Sequence, residues 1–275
     1  MDNNPLKQYF RRPSVYLRLP SNGLGYTSDV IDLPENGELP IFPMTAIDEI
    51  TTRTPDALFN GTAVIELIKS CVPNIKDPWA ISNIDMDAIL VAIKSASSES
   101  GEMSIDSSCP KCETDATYSI SLAAILGSIS SPDYESELEF GELSFKLKPI
   151  SYREINNAAM EQFEFQKLAA QVDNIEDDDL RNKTVKEALD KITNITMNLL
   201  SHSIEHIKTP ASTVTDREFI LEFLRNCDKK IYTAIRDHSG KLREEAEIKP
   251  MPVKCSSCEH EYKQTITLNP TDFFD

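Results

Sequence analysis

The sequence predicts an α+β fold, mainly helical, with short β-hairpins and two cysteine knuckles joined in one zinc-ribbon-like site. Three observations carry this. Apolar residues recur at helical spacing through most of residues 152–237. Short alternating runs bounded by glycine or proline read as hairpin strands. Two C-x-x-C pairs each lead into such an alternating run.

Taken in order, residues 1–45 read as an extended, proline-rich N-terminal arm. Prolines at 5, 13, 20, 34, 40 and 43 punctuate one alternating stretch, Val15-Tyr16-Leu17-Arg18-Leu19, and Asn22-Gly23-Leu24-Gly25 marks a turn. Such an arm buries little surface alone and is expected to lie across a partner or its own domain. Residues 46–100 form a helical region. Thr54 before Pro55 is an N-cap with proline at the first helical position. Asn60-Gly61 breaks that helix, and Val64, Leu67, Ile68 and Cys71 stripe the next one. Beyond Pro73 and Pro78, Asp85 is expected to cap a helix that buries Ala88, Ile89, Ala92, Ile93 and Ala96.

Residues 101–125 hold the first knuckle hairpin. Residues 126–245 begin with a short helix or loop near Ala123–Ser131 and a hairpin, Leu138–Ile150, turning at Gly141. Helices are then expected at about 152–172, 180–207 and 216–237. The last opens on a capping box, Thr215 with Glu218, and carries Ile220, Phe223, Leu224, Cys227, Ile231, Ala234 and Ile235 on one face. Residues 246–275 supply the second knuckle hairpin and a C-terminal tail.

Composition excludes several function classes. Over 275 residues, 28 basic side chains stand against 45 acidic ones, for a net charge of −17. That field disfavours gripping phosphate backbones or an anionic membrane. Eight glycines form neither of the common nucleotide-cradling motifs, and four histidines leave little for acid–base chemistry. The first ten residues lack an apolar signal core, and the longest aliphatic run, Ile89–Ile93, is far too short to span a bilayer. A reducing cytoplasm is therefore expected, where six cysteines suggest metal ligands or buried thiols before disulfides.

The strongest chemical signal is the pair Cys109-Pro110-Lys111-Cys112 and Cys255-Ser256-Ser257-Cys258, with 142 residues between Cys112 and Cys255. The two segments look like copies of one unit. Glu113 and Glu259 follow the second cysteine of each, and Ser119–Leu122 falls at the same offset as Thr265–Leu268. Zinc takes four ligands in a tetrahedron, and two knuckles supply four thiolates with no open position, which marks a structural site. Its binding is worth about 10–16 kcal/mol in small zinc peptides. Cys109, Cys112, Cys255 and Cys258 are thus the expected ligands of one structural zinc ion. A redox C-x-x-C belongs at a helix N-terminus, whereas strand-like residues follow both pairs here.

Other signals are weaker. His202-Ser203-Ile204-Glu205-His206 matches a metallopeptidase H-x-x-E-H pattern. On a helix its two histidines share a face, yet they also suit the last turn before Pro210, where a cation complements the helix end. Cys71 and Cys227 lie on apolar stripes as core thiols. His260 is placed either at the surface or as a substitute ligand. Glu176-Asp177-Asp178-Asp179 lacks the spacing of a calcium loop and caps the following helix. Tyr152, Phe163, Phe165 and Leu168 read as helix packing.

Several stretches resemble a known family. Gln8-Tyr9-Phe10-Arg11-Arg12-Pro13, the runs Leu33–Pro40 and Pro43–Glu49, Arg53-Thr54-Pro55-Asp56-Ala57-Leu58-Phe59-Asn60-Gly61 and the closing Asn269-Pro270-Thr271-Asp272-Phe273-Phe274 are similar to T-even-like bacteriophage baseplate proteins. The knuckles look like those of longer family members. The resemblance covers most of the chain and is strongest over residues 8–93. It implies a component of a contractile-tail baseplate at or near the hub, or a hub assembly protein, with no catalysis and no transferable catalytic residues.

The implied partners are other baseplate hub, tail-tube or tape-measure proteins, with self-association in the assembled baseplate and neither nucleic acid nor membrane. The implied location is the virion tail baseplate, assembled in the host cytoplasm. A transient assembly chaperone, absent from the mature virion, is the alternative. A zinc-ribbon nucleic-acid binder needs a basic face, and Lys254 and Lys263 are offset by Glu259 and Glu261. The arm, Gln8–Pro43, and the segment Pro43–Gly61 are the expected contact surfaces.

Overall fold

The computed structural model describes residues 4–52, 60–172 and 178–266. The expected Thr54–Pro55 helix start and the tail Asn269–Asp275 lie outside them. The chain divides into two compact units: Met1–Ser131 with Ala246–Asp275, and Pro132–Glu245. The architecture is α+β, helices dominating and every strand pair antiparallel.

The first unit begins with a 3-10 turn, Pro5–Tyr9, and a hairpin of β1 (Val15–Arg18) and β2 (Glu38–Ile41). Helices α1 (Ala46–Thr52), α2 (Thr62–Cys71) and α3 (Asn83–Ser97) follow. The chain then forms β3 (Glu102–Ser108), β4 (Asp115–Ser121) and the short α4 (Leu122–Ser128). Helix α3 is apolar almost all round, with Ile84, Met86 and every residue from Ala88 to Ile93 buried, so it must run through a core. Leu19, Leu39, Ile41, Ile65, Leu67, Ile68, Ile89, Ile93 and Leu122 are fully buried in this unit.

The proline-rich N-terminal stretch contributes to that core. Period-two alternation turns Leu17 and Leu19 inward, and β2 pairs back along β1 with Leu17 opposite Leu39. Arg11 fastens the segment just before the hairpin. Its guanidinium donates to the Pro43 carbonyl, to Asp48 Oδ2 (3.2 Å) and to Ser70 O (2.8 Å) and Oγ (2.7 Å). The expected extended reach is thus replaced, over most of its length, by a folded hairpin. Prolines at 13, 20, 34, 40 and 43 sit at strand ends, in turns or on a two-stranded edge, where a missing N–H costs little.

Asp85 is not the solvent-facing cap that its position suggests. It is fully buried in the first turn of α3 and accepts from Ser21 N (2.9 Å), Ser21 Oγ (2.5 Å), Tyr26 OH (2.6 Å) and Ser82 Oγ (3.0 Å). Ser82 occupies the N-cap position, and its hydroxyl serves Asp85 rather than the helix.

The second unit is a four-stranded sheet in the order β5-β6-β7-β8, with strands Glu137–Phe140, Leu143–Leu147, Ile204–Lys208 and Thr213–Val214. Gly141, at φ 63°, makes the two-residue turn between β5 and β6. The helices are α5 (Tyr152–Val172), α6 (Asp178–His202), α7 (Arg217–Asn226) and α8 (Lys229–Ala246). Phe145, Leu147, Leu200, Ile204, Ile207, Ile220, Leu224, Ile235 and Leu242 form the core of sheet and helices. The chain then supplies the first unit with β9 (Met251–Lys254) and β10 (Glu261–Gln264).

Two expected helices need correction. The one drawn through 180–207 ends at His202, and the last residues pair with β6 as β7. The one drawn through 216–237 is two helices, broken at Cys227-Asp228, where the Asp228 carboxylate accepts from Lys230 N (2.7 Å). Its N-cap is Asp216, accepting from Phe219 N at 3.1 Å, one residue beyond Thr215. Among the described residues no helix is long and apolar enough to cross a membrane.

Candidate metal centre

The two knuckles are the turns of the hairpins β3–β4 and β9–β10. Each hairpin is held by the same pair of backbone bonds. Cys109 N donates to Thr114 O (3.0 Å) and Glu113 N to Cys109 O (2.9 Å); Cys255 N donates to His260 O (2.9 Å) and Glu259 N to Cys255 O (3.0 Å). Glu113 and Glu259 both take left-handed backbone, at φ 56° and 55°. The duplication read from the sequence is therefore a duplication of geometry, down to the strained residue after each second cysteine.

The hairpins meet side by side. Ser107 Oγ donates to Gln264 Oε1 (2.6 Å) and lies 2.9 Å from the Tyr262 hydroxyl, which sits 3.3 Å from that of Tyr118. The Tyr118 and Tyr262 rings pack edge to face with centroids 6.3 Å apart. These contacts bring together residues more than 140 positions apart in sequence.

The four sulfurs lie within 4.8 Å of one another. Cys109 Sγ is 3.7 Å from Cys258 Sγ, and Cys112 Sγ is 3.6 Å from Cys255 Sγ. A tetrahedron with metal–sulfur bonds of about 2.3 Å has edges of roughly 3.8 Å. A disulfide needs its sulfurs about 2.05 Å apart, and all six cysteines are free thiols. Cys109 and Cys255 are buried, Cys258 is half-buried and Cys112 is exposed, so one edge of the cluster meets solvent. This donor set fits a thiophilic ion such as zinc.

Electrostatics agree with that fit. Hydrogen bonding by Thr114, whose hydroxyl lies 3.4 Å from Cys112 Sγ, pulls the Cys112 thiol down to about 6. Backbone bonds from Cys258 and Ser257 lower Cys255 as well. At Cys258 the His260 backbone favours the thiolate, but burial and the three neighbouring sulfurs outweigh it and push the thiol up to about 12. Four thiolates at this spacing repel one another, and a divalent cation is what relieves the repulsion.

The remaining sequence candidates do not assemble. His202 ends α6 while His206 lies on β7, so the H-x-x-E-H residues share no helix face. His202 Nδ1 sits 3.4 Å from Glu154 and contacts Arg217, and His206 Nε2 is 3.7 Å from Glu137. His260 stacks on Tyr262, with centroids 6.2 Å apart, and is not among the clustered ligands. Cys71 is a buried core thiol, pushed up to about 11 by burial and the Asp48 carboxylate. Cys227 is half-buried at the α7–α8 break, its Sγ 3.6 Å from Leu224 O. In the acidic run, Asp178 and Asp179 open α6, and residues 176 and 177 lie outside the described ones. The interlocking Ser107, Tyr262 and Gln264 were not singled out by sequence. Tyr262 and Gln264 alternate with exposed residues along β10, which marks a strand face without naming its partner.

Residues 30–275 match the model of the family described as T4 bacteriophage base plate protein. The chain belongs to this family. The match includes both knuckles and leaves out the first 29 residues. No curated protein and no solved structure matches the chain. This base plate protein carries a four-sulfur cluster and a folded N-terminal hairpin.

Proposed function

We propose that the chain is a structural or assembly protein of the hub region of a contractile-tail baseplate, acting through protein–protein contacts and stapled by one structural zinc ion held by Cys109, Cys112, Cys255 and Cys258. Its partners are other hub, tail-tube or tape-measure proteins, its place is the virion tail, and it carries out no catalysis. The observation behind this reading is the four-sulfur cluster. Two of its six sulfur–sulfur edges, at 3.6 and 3.7 Å, are close to those of a filled tetrahedron, all six lie within 4.8 Å, and four protein ligands leave no position for a substrate.

Metal analysis of the purified full chain tests the staple. One equivalent of zinc per chain is expected, with chelator lowering the unfolding midpoint; under half an equivalent, with folding indifferent to chelator, removes the claim. Mass spectrometry of mature virions tests the role. The chain is expected among the tail proteins, and its presence in assembly intermediates but not in finished particles assigns it to transient assembly instead.

A further inference from the structure

We propose that residues 6–18 form a docking surface for the acidic surface of a second copy of this chain, an inference that rests on reading the protein as one that works by contacts. Leu6, Tyr9, Phe10 and Tyr16 are 61%, 77%, 58% and 60% exposed. Single exposed apolar side chains are ordinary, but four large ones within eleven residues concentrate apolar surface on one short stretch of chain.

The patch is held in place. Arg11, between Phe10 and Arg12, is tied to Pro43, Asp48 and Ser70, and lies 5.9 Å over the Phe42 ring. The backbone on either side is thereby fixed. Strand β1 then turns Leu17 inward and leaves Tyr16 and Arg18 exposed, with Arg12 exposed before them. Aromatic rings and guanidinium groups presented on fixed backbone are the side chains that anchor protein interfaces.

Charge selects the occupant. The first 28 residues carry four of the 28 basic side chains and one of the 45 acidic ones. The rest of the chain therefore holds 24 basic against 44 acidic. An apolar segment of net charge +3 precedes a remainder of net charge −20, so another copy presents the complementary charge. Two such basic patches repel each other across a twofold axis. The contact is accordingly head-to-tail, and such contacts close into rings or run on as filaments. The family match begins at residue 30, so this surface precedes the region shared with the family.

Sedimentation velocity of the full, metal-loaded chain tests the proposal, comparing low salt with about 0.5 M salt, where charge interactions are screened within a few ångströms. Species heavier than the 30.9 kDa monomer are expected at low salt and are lost at high salt. The variants R12E/R18E and Y9S/F10S are expected to weaken association at least tenfold with unchanged melting and zinc content. A wild-type chain that stays monomeric, or association that both variants leave unmoved, overturns it. So does a monomer that shifts single-stranded DNA through Arg12 and Arg18, which assigns the surface to nucleic acid. If zinc and virion placement hold while the chain stays monomeric, only this inference fails. If association holds but the virion lacks the chain, only the virion role fails.

Discussion

At Asp85, one carboxylate satisfies four donors from three residues with no exposure to water. Burying so polar a group is tolerable only while its bonds are complete. Asp85→Ala strands the Ser21 N–H and takes away the acceptor of the Ser21 hydroxyl, while the Tyr26 hydroxyl keeps its bonds to Ser82, and is expected to cost about 3 kcal/mol. Urea unfolding followed by Trp79, the single tryptophan, measures this. Its neighbour Asp87 has the opposite character. Burial, with Glu247 adding repulsion, raises its carboxyl to about 6. A carboxyl whose folded pKa exceeds its unfolded one binds its proton more tightly when folded. Stability therefore rises as pH falls from about 6 toward 3.8. Asp87→Asn is expected to add roughly 1–2 kcal/mol at pH 7 and to flatten that slope. Glu137, held down to about 2 by Lys208 and Ser144, contributes above 4.5 and loses its contribution as pH falls toward 2. Unfolding midpoints taken across pH for Asp87→Asn and Glu137→Gln separate the two signs. None of this was legible in sequence, because a carboxylate three residues into a helix looks like a first-turn anion until Ser21 and Tyr26 are placed beside it.

Among elements, the knuckle hairpins were the most legible, because cysteine spacing and strand alternation repeat at one offset. Their strain was legible too, had the residue after each second cysteine been read as a turn position that favours glycine. Glu113→Gly and Glu259→Gly are each expected to stabilise the metal-loaded chain by about 0.5–1 kcal/mol, by relieving the left-handed backbone at φ 56° and 55°. A rise in the urea midpoint for both variants, and not for one alone, checks the equivalence of the two copies. The helix boundaries were less legible. Leu200, Ile204 and Ile207 stand at i, i+4 and i+7, so period alone carries a helix through a strand. Pairing with β6, a non-local event, ends it at His202. Between α7 and α8 the stripe keeps its phase across Cys227, and only the Asp228 carboxylate bonding to Lys230 N reveals the break.

For the molecule as a whole, helical periodicity and strand alternation pointed to the α+β class and composition to a binding protein, while tertiary contacts decided how the N-terminus behaves. A proline-rich arm that merely reached out to a partner would leave a folded core when residues 1–40 are deleted. Leu17, Leu19 and Leu39 instead lie within that core, and Ser21 and Tyr26 complete Asp85. The deletion is expected to unfold the first unit, seen as loss of native Trp79 fluorescence, whereas R12E/R18E keeps the fold and tests the surface alone. Removing the proposed metal acts on the same unit. By analogy with a disulfide, a metal held by the four cysteines would close a loop of well over 100 residues, worth about 4–5 kcal/mol of denatured-state entropy. Cys255→Ser is accordingly expected to release β9–β10 to rapid amide hydrogen exchange while the sheet of the second unit keeps its protection.

The first unit is interrupted in sequence: it runs to Ser131 and is resumed only at Ala246. On the ribosome, Cys109 and Cys112 emerge long before their counterparts. The nascent chain therefore carries an unfinished half of the cluster until translation has passed Cys258. Any premature stop in that last stretch disables the unit made first, not the one made last.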